Sequence, residues 1–161
     1  MSLSPSSQKV QDALTKLGYD YDIIEFAEST RTAQEAAERV GCEVGQIVKS
    51  LVFKGKSSGK AILILTSGAN RVDVKRFKVY VGEKIGRADP AFVRERTGFA
   101  IGGIPPLGHL HPLETYVDVD LLRHEKIWAA AGTPNAVFEL PSRELQKMTC
   151  GKIVSVRKEK K

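Results

Sequence analysis

Cysteine is scarce in this sequence of 161 residues, which contains only Cys42 and Cys150. The two residues lie far apart and no Cys-x-x-Cys pair occurs, which argues against a zinc knuckle or a thioredoxin-like dithiol. We therefore expect two free and mostly buried thiols, as is usual in a reducing compartment. Long apolar runs are missing too, and 61–65 is among the longest, far short of a bilayer-spanning length.

The two ends of the sequence carry few apolar residues. Residues 1–8 are polar and serine-rich, and they lack the apolar centre of a secretion signal. These features predict a cytoplasmic protein with no membrane partner. A chain of this length suits one hydrophobic core. We therefore expect a single domain over 1–161, with 1–8 and 157–161 as loose termini.

Familiar catalytic and metal-binding motifs are incomplete here. Gly55-Lys56-Ser57-Ser58-Gly59 has the Gly-x-Ser-x-Gly spacing of a nucleophile elbow, but that motif needs a strand-to-helix turn, and both flanks are strand-like. The same segment is one residue short of a phosphate loop, and Ala61 stands where that loop needs Ser or Thr. His109 and His111 lack the third ligand of a catalytic zinc site. We therefore predict no metal and no cofactor.

Positive charge is concentrated in the middle of the sequence. The segment 54–96 has 11 basic and 4 acidic residues, a net charge of +7, whereas the whole chain has +6. A basic stripe suits a polyanionic partner, because each phosphate contact releases counterions. A solvated lysine-rich surface would give the same composition, so charge alone leaves nucleic-acid binding open.

Hydrophobic periodicity and capping residues predict a mixed α/β fold. Val10, Ala13, Leu14 and Leu17 have helical spacing, and Thr32 with Glu35 forms a capping box. Several strands follow one another too closely for helical crossovers, which indicates that the sheet is partly antiparallel. Helices are expected near 7–18, 32–41, 73–79, 91–96 and 141–148, and strands near 21–26, 47–53, 61–66, 99–101, 115–119, 127–131, 137–140 and 153–156.

Lys49 is the first residue that a purely structural interpretation explains poorly. Strand alternation places it on one face with Leu51 and Phe53. A lysine among large apolar groups loses hydration unless its ammonium finds a partner or a wet cleft. Snorkelling at a sheet edge is an equally good explanation from sequence alone.

The segment from Gly102 to His109 is the second feature that a purely structural interpretation explains poorly. It has three glycines and two prolines in eight residues, so it forms a stiff loop with little side-chain bulk. Such a loop lets a ligand reach the backbone, and the amides of Gly102, Gly103 and Ile104 could stabilise an oxyanion. A tight structural turn is the alternative.

These residues resemble the bacterial YbaK and prolyl-tRNA-synthetase-associated editing domain family, over about 10–156. The strand around Lys49 and the Gly-x-x-x-Pro loop from Gly102 to Pro106 are the specific parts of the resemblance. Further similarity lies in segments at 32–37, 46–51, 87–90, 97–99, 131–132 and 138–140. The resemblance implies a YbaK-like editing-domain fold, with a mixed, largely antiparallel sheet and flanking helices. It also implies hydrolysis of the ester that joins a wrong amino acid to a tRNA 3′ end.

The resemblance also implies roles for individual residues. Catalytic roles are expected for Lys49, Gly102 and Gly103. No protein nucleophile is expected, because the family uses a substrate hydroxyl, a positioned water or, on cysteine, the substrate thiol. Substrate-binding roles are expected for Thr32, Ser50, Ile104, Pro106, His109 and Gly132.

The amino acid and the partners are less defined. Val137 stands where cysteine-removing members have an acidic residue, and a small pocket near 129–132 would favour a side chain such as that of alanine. A small amino acid on tRNA(Pro) is the predicted substrate, with prolyl-tRNA synthetase or the elongation machinery as protein partners. Two alternatives stay open, namely a non-catalytic module that binds tRNA or a synthetase, and a hydrolase of another small activated ester.

Overall fold

The computed structural model describes residues 3–30 and 32–159, which form five α-helices and eight β-strands. The helices are α1 Pro5–Lys16, α2 Ala33–Val40, α3 Val74–Val81, α4 Pro90–Thr97 and α5 Ser142–Thr149. The strands are β1 Ile23–Glu25, β2 Val48–Gly55, β3 Ala61–Ser67, β4 Ile85–Arg87, β5 Glu114–Asp118, β6 Lys126–Ala130, β7 Ala136–Pro141 and β8 Lys152–Val154. None of the described helices has the length and apolar character needed to cross a membrane.

The strands form two sheets, and the predicted mixed, largely antiparallel arrangement is confirmed. One sheet has the order β1-β7-β6 and is antiparallel throughout. The other has the order β4-β2-β3-β5-β8, with antiparallel pairs on the β4 side and parallel pairs on the β8 side. A parallel bridge between Ile47 and Trp128 joins the two sheets at the start of β2.

Side-chain caps explain where several helices begin. Thr32 accepts a hydrogen bond from the amide of Glu35 at the start of α2, and Gly41 ends that helix in the left-handed conformation. Asp73 and Asp89 cap α3 and α4 in the same way. The glycine-serine segment is confirmed as the hairpin loop between β2 and β3, which excludes a strand-to-helix elbow there.

The prediction of a loose start over 1–8 is wrong from Pro5 onward. Ser4 caps α1 by accepting from the amide of Ser7, and Pro5 suits the first turn because that turn needs no amide donor. Ser7, Val10 and Leu14 are buried by this helix, whereas Leu17 is 56% exposed beyond its end. The predicted loose tail is also partly paired, since Arg157 forms a bridge with Val72.

Three further expectations need correction. Residues 99–101 form no strand, because Gly98 turns the chain, the hydroxyl of Thr97 accepts from the amide of Phe99, and Ala100 accepts from Gly103. Strand β4 was not predicted, since its three residues include a glycine and carry no alternating pattern. Both cysteines are free as expected, but Cys150 is exposed at the end of α5 rather than buried.

The main hydrophobic core lies between the two sheets and takes in α1, α4 and α5. It includes Leu63 and Leu65 of β3 and Phe138 of β7, all fully buried. Ile62 and Ile64 point to the other face of β3, where Phe77 of α3 covers them. Strand β3 is therefore buried on both faces, and β2 lies beside it with one edge partly free.

Candidate active site

The free part of the β2 edge is the place where the site forms. Strand β4 pairs with β2 only from Phe53 to Gly55, and Ile47 bridges to β6 just before β2 begins. Within the described part of the chain, the stretch 48–52 has a strand partner only on its β3 side. Lys49 lies on this stretch, opposite Thr66 of β3.

The ammonium of Lys49 is half-buried and held by a backbone carbonyl. Its Nζ donates a hydrogen bond to the carbonyl oxygen of Asn70 at 2.7 Å. Burial lowers the pKa of Lys49, the charge of Arg71 lowers it further, and Asp118 acts in the opposite direction. The partner is neutral, so the ammonium keeps its net charge while its position is fixed.

A buried carboxylate organises the turn that carries Asn70. Asp118 is completely buried, and its Oδ2 accepts from the backbone amide of Ser67 at 3.0 Å and from Nδ2 of Asn70 at 2.9 Å. Its Oδ1 accepts from the amide of Asp120 at 2.9 Å. A chain of hydrogen bonds thus connects Asp118 through Asn70 to Lys49.

The glycine-proline loop offers two amide donors rather than three. The amide of Gly103 donates to the carbonyl of Ala100 at 3.1 Å, and the carbonyl of Gly103 accepts from the amide of Gly132 at 2.9 Å. No residue in 3–30 or 32–159 accepts a hydrogen bond from the amide of Gly102 or Ile104. The expected donor role of Gly103 is therefore wrong, because its N–H is already used to close the loop.

The position of Gly103 explains why this residue must lack a side chain. A Cβ there would lie 2.6 Å from Cα of Thr133 and 2.8 Å from the carbonyl oxygen of Gly132. These are backbone atoms, which cannot move aside as a flexible side chain can. Gly103 therefore packs the loop against 132–133 and sets the place of its neighbour Gly102.

One cavity brings the lysine strand and the loop together. Its volume is about 780 Å³. Its described lining includes five of the residues singled out from the sequence, namely Lys49, Ser50, Thr32, Gly102 and Ile104. Lys49 is the only ionisable side chain among the described lining residues. The hydroxyl of Ser50 is buried, and nothing in the described part of the chain hydrogen-bonds to it.

Pro106, His109 and Gly132 are not among the described lining residues. Pro106 is buried, and Nε2 of His109 lies 2.7 Å from the carbonyl oxygen of Pro105, to which the neutral ring donates. Burial lowers the pKa of His109, with the Pro105 hydrogen bond opposing that shift. His109 thus closes its own loop, and direct contact of Pro106, His109 and Gly132 with a ligand stays a prediction.

Several lining residues had no signal in the sequence. Ala130 and Val137 of the lining fall at positions that the sequence had singled out, but Ala36 of α2, Trp128 of β6 and Pro134, which lies near Gly102, do not. Their patterns are those of ordinary core positions, so only the packing of α2 and the smaller sheet around the β2 edge identifies them. Among residues 3–30 and 32–159, no group of three or more His, Cys, Asp or Glu side chains could hold a metal ion.

Comparison with known proteins gives a consistent set of relatives. The family profile of the aminoacyl-tRNA editing domain matches residues 27–148. The uncharacterized protein YwhH of Bacillus subtilis is 34% identical over 148 residues, covering 92% of this chain and 94% of that protein. The multifunctional Ser/Thr-tRNA deacylase ProXp-y of Escherichia coli is 26% identical over 160 residues, covering 96% and 95%.

A solved structure agrees with the fold over nearly the whole chain. It is described as a candidate trans-editing enzyme for prolyl tRNA synthetase, and it superposes with a TM-score of 0.93 at 49% sequence identity. The match covers 98% of this chain and 100% of that one.

Proposed function

This chain belongs to the aminoacyl-tRNA editing domain family, and on that premise we propose that it is a trans-editing aminoacyl-tRNA deacylase. It hydrolyses the ester between a wrongly attached amino acid and the ribose at the tRNA 3′ end. The observation that carries this proposal is the shared cavity, whose lining includes Lys49 together with Gly102 and Ile104, two residues whose amides donate to nothing in the described chain.

The reaction needs little from the protein beyond charge and position. A water oxygen bonds to the ester carbonyl carbon, and the carbonyl oxygen becomes an oxyanion that the Gly102 and Ile104 amides stabilise. The bond to the ribose oxygen then breaks, and that oxygen takes a proton from the attacking water. The described lining has no carboxylate and no imidazole, so a substrate hydroxyl or the water itself handles the proton. Lys49 neutralises the charge of the terminal phosphate or the negative charge that develops on the leaving ribose oxygen.

The lining supports a small, uncharged amino acid as the group removed. Alanines at 33, 36, 129 and 130 with Val137 give an apolar wall, and the described lining offers no carboxylate to a cationic side chain. Alanine on tRNA(Pro) is the substrate we favour. Serine and threonine belong in the test as well, because ProXp-y is named for their removal.

The organisation of the chain and its protein partner are part of the same proposal. We infer a single editing domain over the length of the chain, since the family match and the full-length relatives leave no large segment outside. Association with prolyl-tRNA synthetase is supported by the description of the structural relative, which names that synthetase.

Deacylation of a panel of mischarged tRNAs tests the proposal. Alanyl-, seryl-, threonyl- and cysteinyl-tRNA(Pro) are incubated with wild type, Lys49→Ala and the control Lys152→Ala, which changes an exposed lysine of β8. We expect wild type and the control to release one amino acid well above background, and Lys49→Ala to lose about 100-fold or more.

Background release by all three proteins on every tRNA would overturn the catalytic function. If they still bound tRNA, and Lys49→Ala bound it more weakly, a non-catalytic binding module would take its place. Hydrolysis that does not change between low and high salt would instead favour a small ester as substrate, because recognition of RNA phosphates weakens as salt rises.

A further inference from the structure

A basic surface continues the β2 edge beyond the cavity. Its members are Lys54 and Lys56 at the end of β2 and Arg87 at the end of β4, and all three side chains are exposed. Arg87 pairs with Phe53, so β4 begins to cover the β2 edge where the open stretch of the cavity ends. We refer to Lys54, Lys56 and Arg87 as the basic ridge.

The basic ridge surrounds a shallow hollow of about 570 Å³. The rest of its lining is the hairpin segment 57–59 with Gly55 and Gly86. Lys54 is held in place, since its Nζ lies 5.0 Å from the centre of the Phe92 ring. No carboxylate within residues 3–30 or 32–159 forms a salt bridge with any of the three ridge cations.

Acidic groups near the basic ridge are bound to backbone amides and not to the ridge cations. Glu83 accepts hydrogen bonds from the amides of Ser57 and Ser58 at 2.9 and 3.0 Å, and these bonds lower its pKa. Asp89 caps α4 by accepting from the amide of Phe92 at 2.8 Å. The ridge cations therefore have no competing anion bound to them.

The distance along β2 fits a nucleic-acid strand that leaves the cavity. Alternation along β2 places Lys54 on the same face as Ser50, which lines the cavity, and on the face opposite Lys49. Lys54 follows Ser50 by four residues, which corresponds to about 13 Å of strand at ~3.3 Å per residue. A stacked nucleic-acid strand advances ~3.4 Å per nucleotide, so the ridge is about four nucleotides from the cavity. At that distance a tRNA passes from its unpaired 3′ end into the acceptor stem.

We propose that the basic ridge binds backbone phosphates of the tRNA acceptor end while the aminoacyl terminus occupies the cavity. This inference rests on the proposed function, because it takes a misacylated tRNA as the substrate. The ridge contacts phosphate and not bases, so it supplies affinity for any tRNA and leaves selection of the amino acid to the cavity.

A matched pair of triple variants tests the ridge. Lys54→Gln, Lys56→Gln and Arg87→Gln together remove three ridge charges, and Arg143→Gln, Lys147→Gln and Lys152→Gln remove the same residue types from exposed positions on α5 and β8. Strand β8 is the edge of the larger sheet opposite β4, so the control surface is remote from the ridge. Each triple is assayed with the aminoacyl-tRNA that wild type hydrolyses and with the matching 3′-aminoacyl adenosine, which lacks the phosphates.

We expect the ridge triple to raise KM for the tRNA about tenfold or more at low salt, with kcat unchanged. The slope of log KM against log salt should fall by about two to three, close to one for each lost phosphate contact. Hydrolysis of the aminoacyl adenosine should be unchanged, and the control triple should match wild type on both substrates.

The ridge proposal would be overturned if the two triples raised KM for the tRNA equally. It would also be overturned if the ridge triple lost as much activity on the aminoacyl adenosine as on the tRNA. Binding of uncharged tRNA, measured by fluorescence anisotropy, separates this result from failure of the proposed function. If wild type hydrolyses neither substrate, the deacylase proposal fails, and weaker tRNA binding by the ridge triple than by the control still supports the ridge. Equal binding by the two triples refutes it.

Discussion

Replacing Asp118 with alanine should strongly destabilise the fold. The carboxylate is completely buried and accepts from the Ser67 amide, the Asn70 side chain and the Asp120 amide. Each hydrogen bond to a charged group contributes about 1.5–3 kcal/mol, and a buried donor left without a partner costs about 1–3 kcal/mol. The Asp120 amide lies in a partly exposed residue and can reach water. The bonds from the Ser67 amide and the Asn70 side chain are both lost, although only the Ser67 amide is left without a partner, because Asn70 also donates to Asp120. Counting the two lost bonds, we expect Asp118→Ala to lower the free energy of unfolding by about 3–5 kcal/mol.

Urea unfolding followed by the fluorescence of Trp128, the one tryptophan of the sequence, measures this loss. Asp120→Ala is the matched control, because the Asp120 carboxylate accepts from the same Asn70 side chain. Its other contact is a surface salt bridge with Arg123. We expect the control to lose about 1 kcal/mol. A loss within 1 kcal/mol of that control for Asp118→Ala would refute the reasoning, since it would show that Asp118 does not hold the Ser67–Asn70 turn.

Two further expectations concern the loop and the lysine. Gly103→Ala places a Cβ 2.6 Å from the Thr133 backbone, so it should lose about 1–3 kcal/mol of stability and shift the Gly102 amide enough to lower the hydrolysis rate about 100-fold. The control is Gly18→Ala, because Gly18 has a positive φ but a Cβ there meets open space. This control should lose ~1–2 kcal/mol of stability and keep its activity. Equal activity of the two variants would contradict this role of the loop. Because burial lowers the pKa of Lys49, hydrolysis above background should fall as rising pH removes its proton, with a midpoint below 10.5. A Lys49→Arg enzyme with residual activity should not show this fall, since its guanidinium stays charged, and an identical fall would assign the titration to another group.

The environment of Lys49 suits a residue that works through its charge. A carboxylate bound directly to the ammonium would cancel the charge that a phosphate or oxyanion needs. Here the direct partner is the neutral Asn70 carbonyl, and the Asp118 carboxylate stands one residue further back. The Asp118 carboxylate thus fixes the turn that binds Lys49 without cancelling the charge of the ammonium, which stays available for the ligand.

Local sequence determined the parts of the fold whose energetics are local. Thr32 predicted the start of α2, because its cap is a hydrogen bond within three residues along the chain. The helices expected near 73–79 and 91–96 likewise begin beside local caps, Asp73 and Asp89. The hairpin between β2 and β3 followed from a glycine-serine loop between two apolar strands. Lys49 was recognised because a cation on an apolar strand violates the pattern around it.

Tertiary structure decided which of the recognised residues share the cavity. The loop pattern named Gly102, Gly103 and Ile104 as equivalent donors, and the turn to Ala100 removed Gly103 from that set. His109 was expected to bind substrate, and its hydrogen-bond partner in the structure is a carbonyl of its own loop. Neither outcome can be predicted from residue type, since a backbone amide is free or engaged according to the path of the chain around it.

The lining from α2 and β6 and the support from Asp118 depend on contacts between distant parts of the sequence. Asn70 and Asp118 are 48 positions apart and meet because β3 and β5 are parallel neighbours in the larger sheet. Ala36 and Trp128 look like core residues in the sequence, and they line a cavity only because the smaller sheet meets β2 through one bridge at Ile47. The sequence by itself determined the local elements and the unusual cation, and the pairing of strands decided what surrounds that cation.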